Sequence, residues 1–67
     1  EEAWFVVDKY IDDAIIAGVH QATVIHGKGT GALRAALWNR LKSDQRVKNF
    51  RAGQYGEGDY GVTVIEV

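Results

Sequence analysis

The 67-residue sequence predicts a two-layer α/β fold of the α+β kind, in which two helices cover one small mixed sheet. Two apolar, β-branched runs, 22–25 and 62–67, have the composition of strands. Between them, leucines at 33, 37 and 41 recur at the spacing of one helix face. A chain of this length forms one domain with a small core, because it buries only about 60% of its unfolded surface.

A first helix is predicted over residues 1–17, and Gly18 is a plausible left-handed stop. The predicted buried face comprises Ala3, Val7, Tyr10, Ile11 and Ala14, with Trp4 and Ile15 on its flank. Phe5 and Ile16 lie on the opposite, acidic face. The sequence leaves open whether these two side chains are incidentally exposed or are covered by another segment.

The second helix is predicted to begin near Thr30 or Gly31, with the Thr30 hydroxyl available as a cap. Its predicted buried stripe comprises Leu33, Ala36, Leu37 and Leu41. Trp38 falls beside that stripe, where it caps the edge of the core; stacking on a nucleic-acid base is the alternative.

A turn at 43–46 precedes a predicted strand at 47–51, which runs parallel to the first strand because a helix joins them. Residues 53–61 hold four glycines and form a connection. The closing strand, 62–67, is predicted to be antiparallel to the preceding one. Its nearly continuous apolar character predicts a central position in the sheet.

The run from His26 to Gly31, His-Gly-Lys-Gly-Thr-Gly, joins the first strand to the second helix and has the character of an anion-binding loop. Helix starts favour negative charge, and glycines let a phosphate approach the backbone. Glycines that serve only a tight turn are the alternative. A Walker loop is excluded because position 32 is Ala, and a dinucleotide loop because Val47 stands where an acid is needed.

The two histidines differ in position along the chain. His26 ends the first strand at the mouth of the glycine loop, where open α/β sheets bind ligands. The alternative for His26 is a histidine that orders the loop by hydrogen bonding. His20 lies in a connection and receives no role.

Charge is unevenly distributed along the sequence. Residues 1–25 hold five acids and one base (−4), residues 26–52 seven bases and one acid (+6), and residues 53–67 three acids (−3). The middle segment therefore predicts a basic face suited to a polyanion, unless the clustering is accidental. The chain has no cysteine, which suits a reducing compartment, and no long apolar run, so no membrane segment is expected.

The run His26 to Arg34 (HGKGTGALR) resembles the HGxG motif of the Smr (small MutS-related) domain, in the form found in bacterial MutS-like proteins of the second, mismatch-independent branch. Segments 12–18, 47–51 and 61–67 fit the same family. The resemblance implies a fold like the C-terminal domain of a translation initiation factor. The family's first strand would precede Glu1, so the chain is expected to be an N-terminally truncated fragment forming a single domain over 1–67.

The resemblance also implies nucleic-acid binding with DNA-nicking endonuclease activity in a recombination-suppressing, cytoplasmic, ATP-binding parent protein. The alternative is a non-catalytic module that binds RNA, the ribosome or branched DNA in ribosome rescue. The expected partners are these nucleic acids and the rest of the parent protein, dimeric through its other domains. No cofactor is expected within this chain, with Mg²⁺ or Mn²⁺ as the candidate metals for cleavage.

The site expected from these arguments combines two groups of residues. His26 and Lys28 are the catalytic candidates. The nucleic-acid-binding candidates are Gly27, Lys28, Gly29, Thr30, Gly31, Arg34, Lys48 and Arg51. No metal ligands are assigned, because the acids Glu57 and Asp59 have no diagnostic spacing. The late Gly-Gly-x-Gly of the family is Gly58-Asp59-Tyr60-Gly61 here, a departure that puts the geometry of that loop in doubt.

Phosphodiester hydrolysis needs an activated water and a stabiliser for the developing charge. The sequence supplies stabilisers readily in the loop amides and Lys28, but His26 is its one candidate base. Binding is therefore better supported than cleavage. Lys28 is predicted to be the main phosphate contact, and Gly29→Val is predicted to be more harmful than Lys28→Ala. Arg46, beyond the second helix, is the expected contrast.

Overall fold

A computed structural model describes residues 2–27, 31–53 and 61–67, with the side chains of residues 2 and 3 outside the description. The elements in chain order are α1 (Glu2–Ile16), β1 (Gln21–Ile25), α2 (Ala32–Lys42), β2 (Asn49–Ala52) and β3 (Val62–Glu66). The predicted two-helix α/β class is confirmed. No helix in the described ranges is both long and apolar enough to span a membrane.

The sheet has the strand order β1-β3-β2, and β3 is antiparallel to both neighbours. The predicted central position of the last strand is therefore confirmed. β1 and β2 run in the same direction, as the helix between them requires, but they do not pair. Because β3 lies between them, each pairing in the described sheet is antiparallel, where a mixed sheet was expected.

The core lies between the helices and one face of the sheet. Ile11 of α1, Leu37 and Leu41 of α2, and Ile65 of β3 form its buried cluster. Ile65 stands opposite Ala22 on β1 and Phe50 on β2, so the central strand provides the middle of this face. Partly buried side chains surround the cluster: Trp4, Val7, Val24, Trp38, Val47, Phe50 and Val67.

The first helix buries a narrower face than its sequence predicts. Ile11 is fully buried, whereas Tyr10 is 45% and Ile15 44% exposed. Phe5 and Ile16 are exposed, as predicted. A helix that lies on a three-stranded sheet contacts it along one line of side chains, and its flanking positions remain in solvent. Gly18 has the predicted left-handed conformation, with φ 76°.

The second helix also departs from its predicted stripe. Leu37 and Leu41 are buried, but Leu33 is 53% exposed and Ala36 is exposed. Helix α2 begins at Ala32 after Gly31, which is left-handed with φ 84°. Its first turn lies beyond the closed part of the core, so Leu33 lines an open groove. Thr30, the predicted cap, lies outside the described residues.

β1 is an edge strand in the described sheet, not the buried strand that its composition predicts. Ala22 is buried and Val24 partly buried, whereas Thr23 and Ile25 are exposed. The exposed pair alternates with Ala22 and Val24 along the strand. An apolar run can therefore fill an edge position, because composition does not report how many neighbours a strand has.

The second strand begins at Asn49, two residues later than predicted. Val47 instead donates its N–H to the Asp44 carbonyl at 3.1 Å and packs against the core. Lys48 then donates its N–H to the Glu66 carbonyl at 2.8 Å, which brings the chain beside β3. Trp38 is partly buried at the core edge, as predicted.

Candidate nucleic-acid interface

The carboxyl end of β1 and the start of α2 lie at the same edge of the fold, as the sequence predicts. The backbone N–H groups of His26 and Gly27 both donate to the Gly61 carbonyl, each at 3.0 Å. Gly27 has φ 81° and Gly31 φ 84°, in the left-handed region that favours glycine. The start of the glycine run is thus hydrogen-bonded to Gly61, the residue that precedes β3. Lys28, Gly29 and Thr30 lie outside the described residues.

The His26 side chain is hydrogen-bonded at both ring nitrogens. Nδ1 lies 2.9 Å from the Gly27 carbonyl oxygen, and Nε2 lies 2.8 Å from the Thr63 hydroxyl oxygen. A carbonyl oxygen only accepts, so Nδ1 carries a proton. In the neutral ring Nε2 is then the acceptor, and the Thr63 hydroxyl donates to it.

Trp38 supports this arrangement from α2. Its Nε1–H donates to the Thr63 hydroxyl oxygen at 2.9 Å. Phe50 meets the indole edge-on, with ring centroids 5.1 Å apart, and the Arg34 guanidinium lies 5.4 Å from the indole centroid. The negative face of an aromatic ring attracts a cation at this distance. Arg34, in the first turn of α2, therefore places positive charge near the predicted anion loop.

The other two basic candidates lie elsewhere on the domain. Lys48 precedes β2 and donates its N–H to Glu66, which stands opposite Gln21, so it lies at the level of the start of β1, at the other end of that strand from His26. Arg51 stands opposite Val64. That position belongs to the sheet face away from the helices, because the adjacent Phe50 faces Trp38. The predicted set is therefore divided among three places, with Gly27, Gly31 and Arg34 beside His26.

Arg46 holds elements of the fold together. Its Nη2 lies 2.6 Å from an oxygen of Asp8 on α1 and 2.6 Å from one of Asp44. Its backbone N–H and Nε both donate to Asp44 Oδ1, at 2.9 and 3.0 Å. These contacts lower the pKa of Asp44 and raise that of Arg46, mainly through their mutual side-chain hydrogen bonds. Arg46 therefore stabilises the fold. Its replacement does not serve as a simple control for loss of one positive charge.

An apolar groove adjoins the site. It has a volume of about 530 Å³ and runs between α1, β1 and α2, with Val6, Ile25 and Leu33 among its walls. Ile25 is 82% exposed within it. His26 lies at one of its walls, so the candidate polar edge and the groove are continuous.

Within residues 2–27, 31–53 and 61–67, no three His, Asp or Glu side chains are grouped closely enough to hold an ion. The acids Glu57 and Asp59 lie outside the described ranges. The described donors therefore do not fit a metal centre.

Sequence reasoning did not select Thr63, which the structure joins to His26. The residue is fully buried on β3, 37 positions away along the chain. The one available signal was a hydroxyl within an otherwise apolar central strand, where a buried polar group requires a partner. The sequence placed Trp38 at the core edge but did not show that its indole N–H donates to the Thr63 hydroxyl.

Comparison with known proteins gives a consistent result. The chain is 56% identical to Endonuclease MutS2 of Clostridium kluyveri over 66 residues, and 57% identical to that of Acetivibrio thermocellus over 67 residues. These alignments cover 98% and 100% of the chain but only 8% of each relative. The chain therefore spans less than a tenth of the length of these curated relatives.

A solved structure matches the fold. The crystal structure of the Smr domain of Thermus thermophilus MutS2 superposes with a TM-score of 0.92 at 43% identity. The match covers 97% of this chain and 81% of that chain. The family model described as the Smr domain matches residues 1–67. The resemblance seen in the glycine run thus extends over all residues, and this chain belongs to the Smr domain family.

Proposed function

We propose that this chain is a nucleic-acid-binding domain that nicks DNA as part of a larger, cytoplasmic MutS-like protein. The observation that carries the proposal is the convergence at one edge of His26, the two left-handed glycines and Arg34. The proposed ligand is the phosphate backbone of DNA. A helix start and an arginine favour a negative group there, and Gly27 and Gly31 add no side chain to obstruct it.

The nuclease part of the proposal comes from the relatives, whose printed name is Endonuclease MutS2. In hydrolysis, Arg34 and the glycine-run amides would stabilise charge on the phosphate, and Lys28 would add to them. His26 is the candidate base. To act so, its Nε2 must exchange the Thr63 hydroxyl for a water at the phosphate, because Nδ1 is already protonated.

The second candidate is a non-catalytic module that binds RNA, the ribosome or branched DNA. One observation favours it: both nitrogens of His26 are engaged within the domain. A histidine in that state orders the loop without accepting a proton from substrate. Both functions predict binding of nucleic acid that weakens with salt, so binding alone does not separate them.

A nicking assay on supercoiled plasmid separates the two functions. The 67-residue chain is compared with His26→Gln, His26→Ala and Lys28→Ala, each with Mg²⁺, with Mn²⁺ and with chelator. Gln offers an amide near the position of Nε2 but does not exchange protons at neutral pH. If His26 is the base, both His26 variants lose nicking by at least 10²-fold, as expected for a general base.

If His26 only orders the loop, His26→Gln retains most of the activity. If the wild-type chain nicks no faster than the Lys28→Ala and His26→Ala variants under any metal condition, the nuclease proposal fails. Retained binding of DNA or RNA in that case supports the non-catalytic module. Thermal unfolding of each variant verifies that lost activity is not lost folding.

A further inference from the structure

A chain of hydrogen bonds connects the core to the glycine run. It passes from the Trp38 indole to the Thr63 hydroxyl, then to the His26 imidazole, and ends at the Gly27 carbonyl, with distances of 2.9, 2.8 and 2.9 Å. Thr63 has no exposed surface. An unpaired hydroxyl is costly to bury, so this side chain needs its hydrogen-bond partners on the central strand.

The groups at the two ends of this hydrogen-bond series determine the direction of each hydrogen bond in it. The indole Nε1 can only donate, and the carbonyl oxygen can only accept. Trp38 therefore occupies a lone pair of the Thr63 oxygen, and Gly27 requires a proton on His26 Nδ1. The Thr63 hydroxyl proton then points to Nε2 of the neutral ring. One arrangement satisfies every polar atom of this hydrogen-bond series, and in that arrangement His26 is the Nδ1–H tautomer.

We propose that Thr63 and Trp38 are positioning residues that hold His26 in its Nδ1–H tautomer and so fix the Gly27 carbonyl at the entrance of the glycine run. The proposal rests on the proposed function in one respect: the glycine run is taken to be the phosphate site. A carbonyl oxygen beside a phosphate would repel it, and the imidazole N–H occupies that oxygen.

Neighbouring groups hold the members of this hydrogen-bond series in place. Phe50 meets the indole edge-on at 72°, and the His26 backbone N–H is fixed by the Gly61 carbonyl at 3.0 Å. Gly61 immediately precedes β3, and Thr63 lies on that strand. The backbone and the ring of His26 are therefore both held at the start of β3. Such support organises the entrance of the glycine run before a ligand arrives.

The tautomer is measured directly by NMR of the 15N-histidine-labelled chain at about pH 8.5, where an ordinary histidine is neutral. Protonated and unprotonated ring nitrogens have well-separated 15N shifts. His20 is exposed and serves as the reference within the same spectrum. The variants are Thr63→Val, which removes the hydroxyl at nearly constant shape, Thr63→Ser, which retains it, and Trp38→Phe.

We expect the wild-type His26 to have a protonated Nδ1 and an unprotonated Nε2. Thr63→Val is expected to shift His26 toward the Nε2–H form, and Thr63→Ser to restore the wild-type pattern. Trp38→Phe removes the indole donor that orients the Thr63 hydroxyl, so the hydroxyl can turn and accept from Nε2–H, and the variant is expected to give a mixture. The Trp38→Phe variant also tests the tautomer of His26 if Thr63→Val does not fold.

Binding of a fluorescent DNA oligonucleotide, measured on the same proteins, is expected to weaken several-fold in Thr63→Val and to recover in Thr63→Ser. A wild-type His26 protonated at Nε2 overturns the proposal, as does a tautomer unchanged in both Thr63→Val and Trp38→Phe. Unchanged binding in a variant whose tautomer has shifted overturns the positioning role. If the wild-type chain binds no nucleic acid, the proposed function fails, and the expected tautomer shifts still support the network.

Discussion

Arg34 and Arg46 lie near opposite ends of α2 and carry the same formal charge in different settings. Arg34, in the first turn, lies over the Trp38 ring near the glycine run. Arg46, in the turn after the helix, is surrounded by the carboxylates of Asp8 and Asp44. Arg34 thus contacts an aromatic ring, and Arg46 contacts two carboxylates.

The comparison shows that charge along the sequence does not by itself locate a binding surface. The basic middle segment contains both arginines, but acids from α1 and from the turn neutralise the field of Arg46. Arg40 is similarly engaged with an aromatic ring, 5.2 Å from the Trp4 centroid. The candidate surface is therefore smaller than the +6 charge of residues 26–52 predicts.

The largest expected effect is on stability. Arg46→Ala should lower the free energy of unfolding by about 2 kcal/mol, because it removes several charge-assisted hydrogen bonds and leaves the mostly buried Asp44 carboxylate without its guanidinium partner. Urea denaturation measures the change. Lys42→Ala, at an exposed position in the last turn of α2, is the matched control and should cost under about 1 kcal/mol. Equal losses in the two variants would remove the structural distinction.

A smaller effect is expected from acid. The pKa of Asp44 is lowered in the folded state, so its contribution to stability is present above its unfolded pKa, about 3.9. That contribution is lost as pH falls through the lower, folded pKa. The difference in unfolding free energy between wild type and Asp44→Asn should therefore shrink as the solution is made more acidic than the unfolded pKa of Asp44. A difference that does not change with pH would contradict the ion pair.

The smallest expected effect concerns the candidate site itself. Lys28→Ala should reduce the salt slope of DNA binding by about 1, as loss of one phosphate contact does. Affinity should then fall about threefold less between 50 and 200 mM salt than in the wild type. Lys42→Ala removes the same charge from the other end of α2 and should leave the slope nearly unchanged. Equal slopes in both variants would indicate diffuse charge rather than a loop contact.

Much of the site could be predicted from local sequence. Gly18 has the left-handed backbone predicted for it, Gly27 and Gly31 share that conformation, and His26 follows its strand at the expected edge. Steric rules act on each residue and its neighbours, so sequence carries this information directly. The roles of Lys28 and Gly29 stay predictions, since those residues lie outside the described ranges.

Other features could not be predicted locally. Leu33 was assigned to the buried stripe because helical spacing shows which side chains share a face, but not where the sheet beneath them ends. Lys48 and Arg51 were grouped with the glycine run because the sequence gives their charge but not their sheet edge or face. Arg46 was taken as a contrast because it lies at the far end of α2, and its contact with Asp8, 38 residues away, has no local signal.

The sequence by itself determined the two helices, the three strand segments, the turn glycines and the family. Each depends on periodicity, backbone sterics or a contiguous motif, which are short-range properties. Only the tertiary structure decided that β3 enters between β1 and β2, that Thr63 and Trp38 meet His26, and that Arg46 joins α1 to its turn. The side-chain contacts among these join residues 25 to 38 positions apart, and their energies depend on chain packing that no local pattern records.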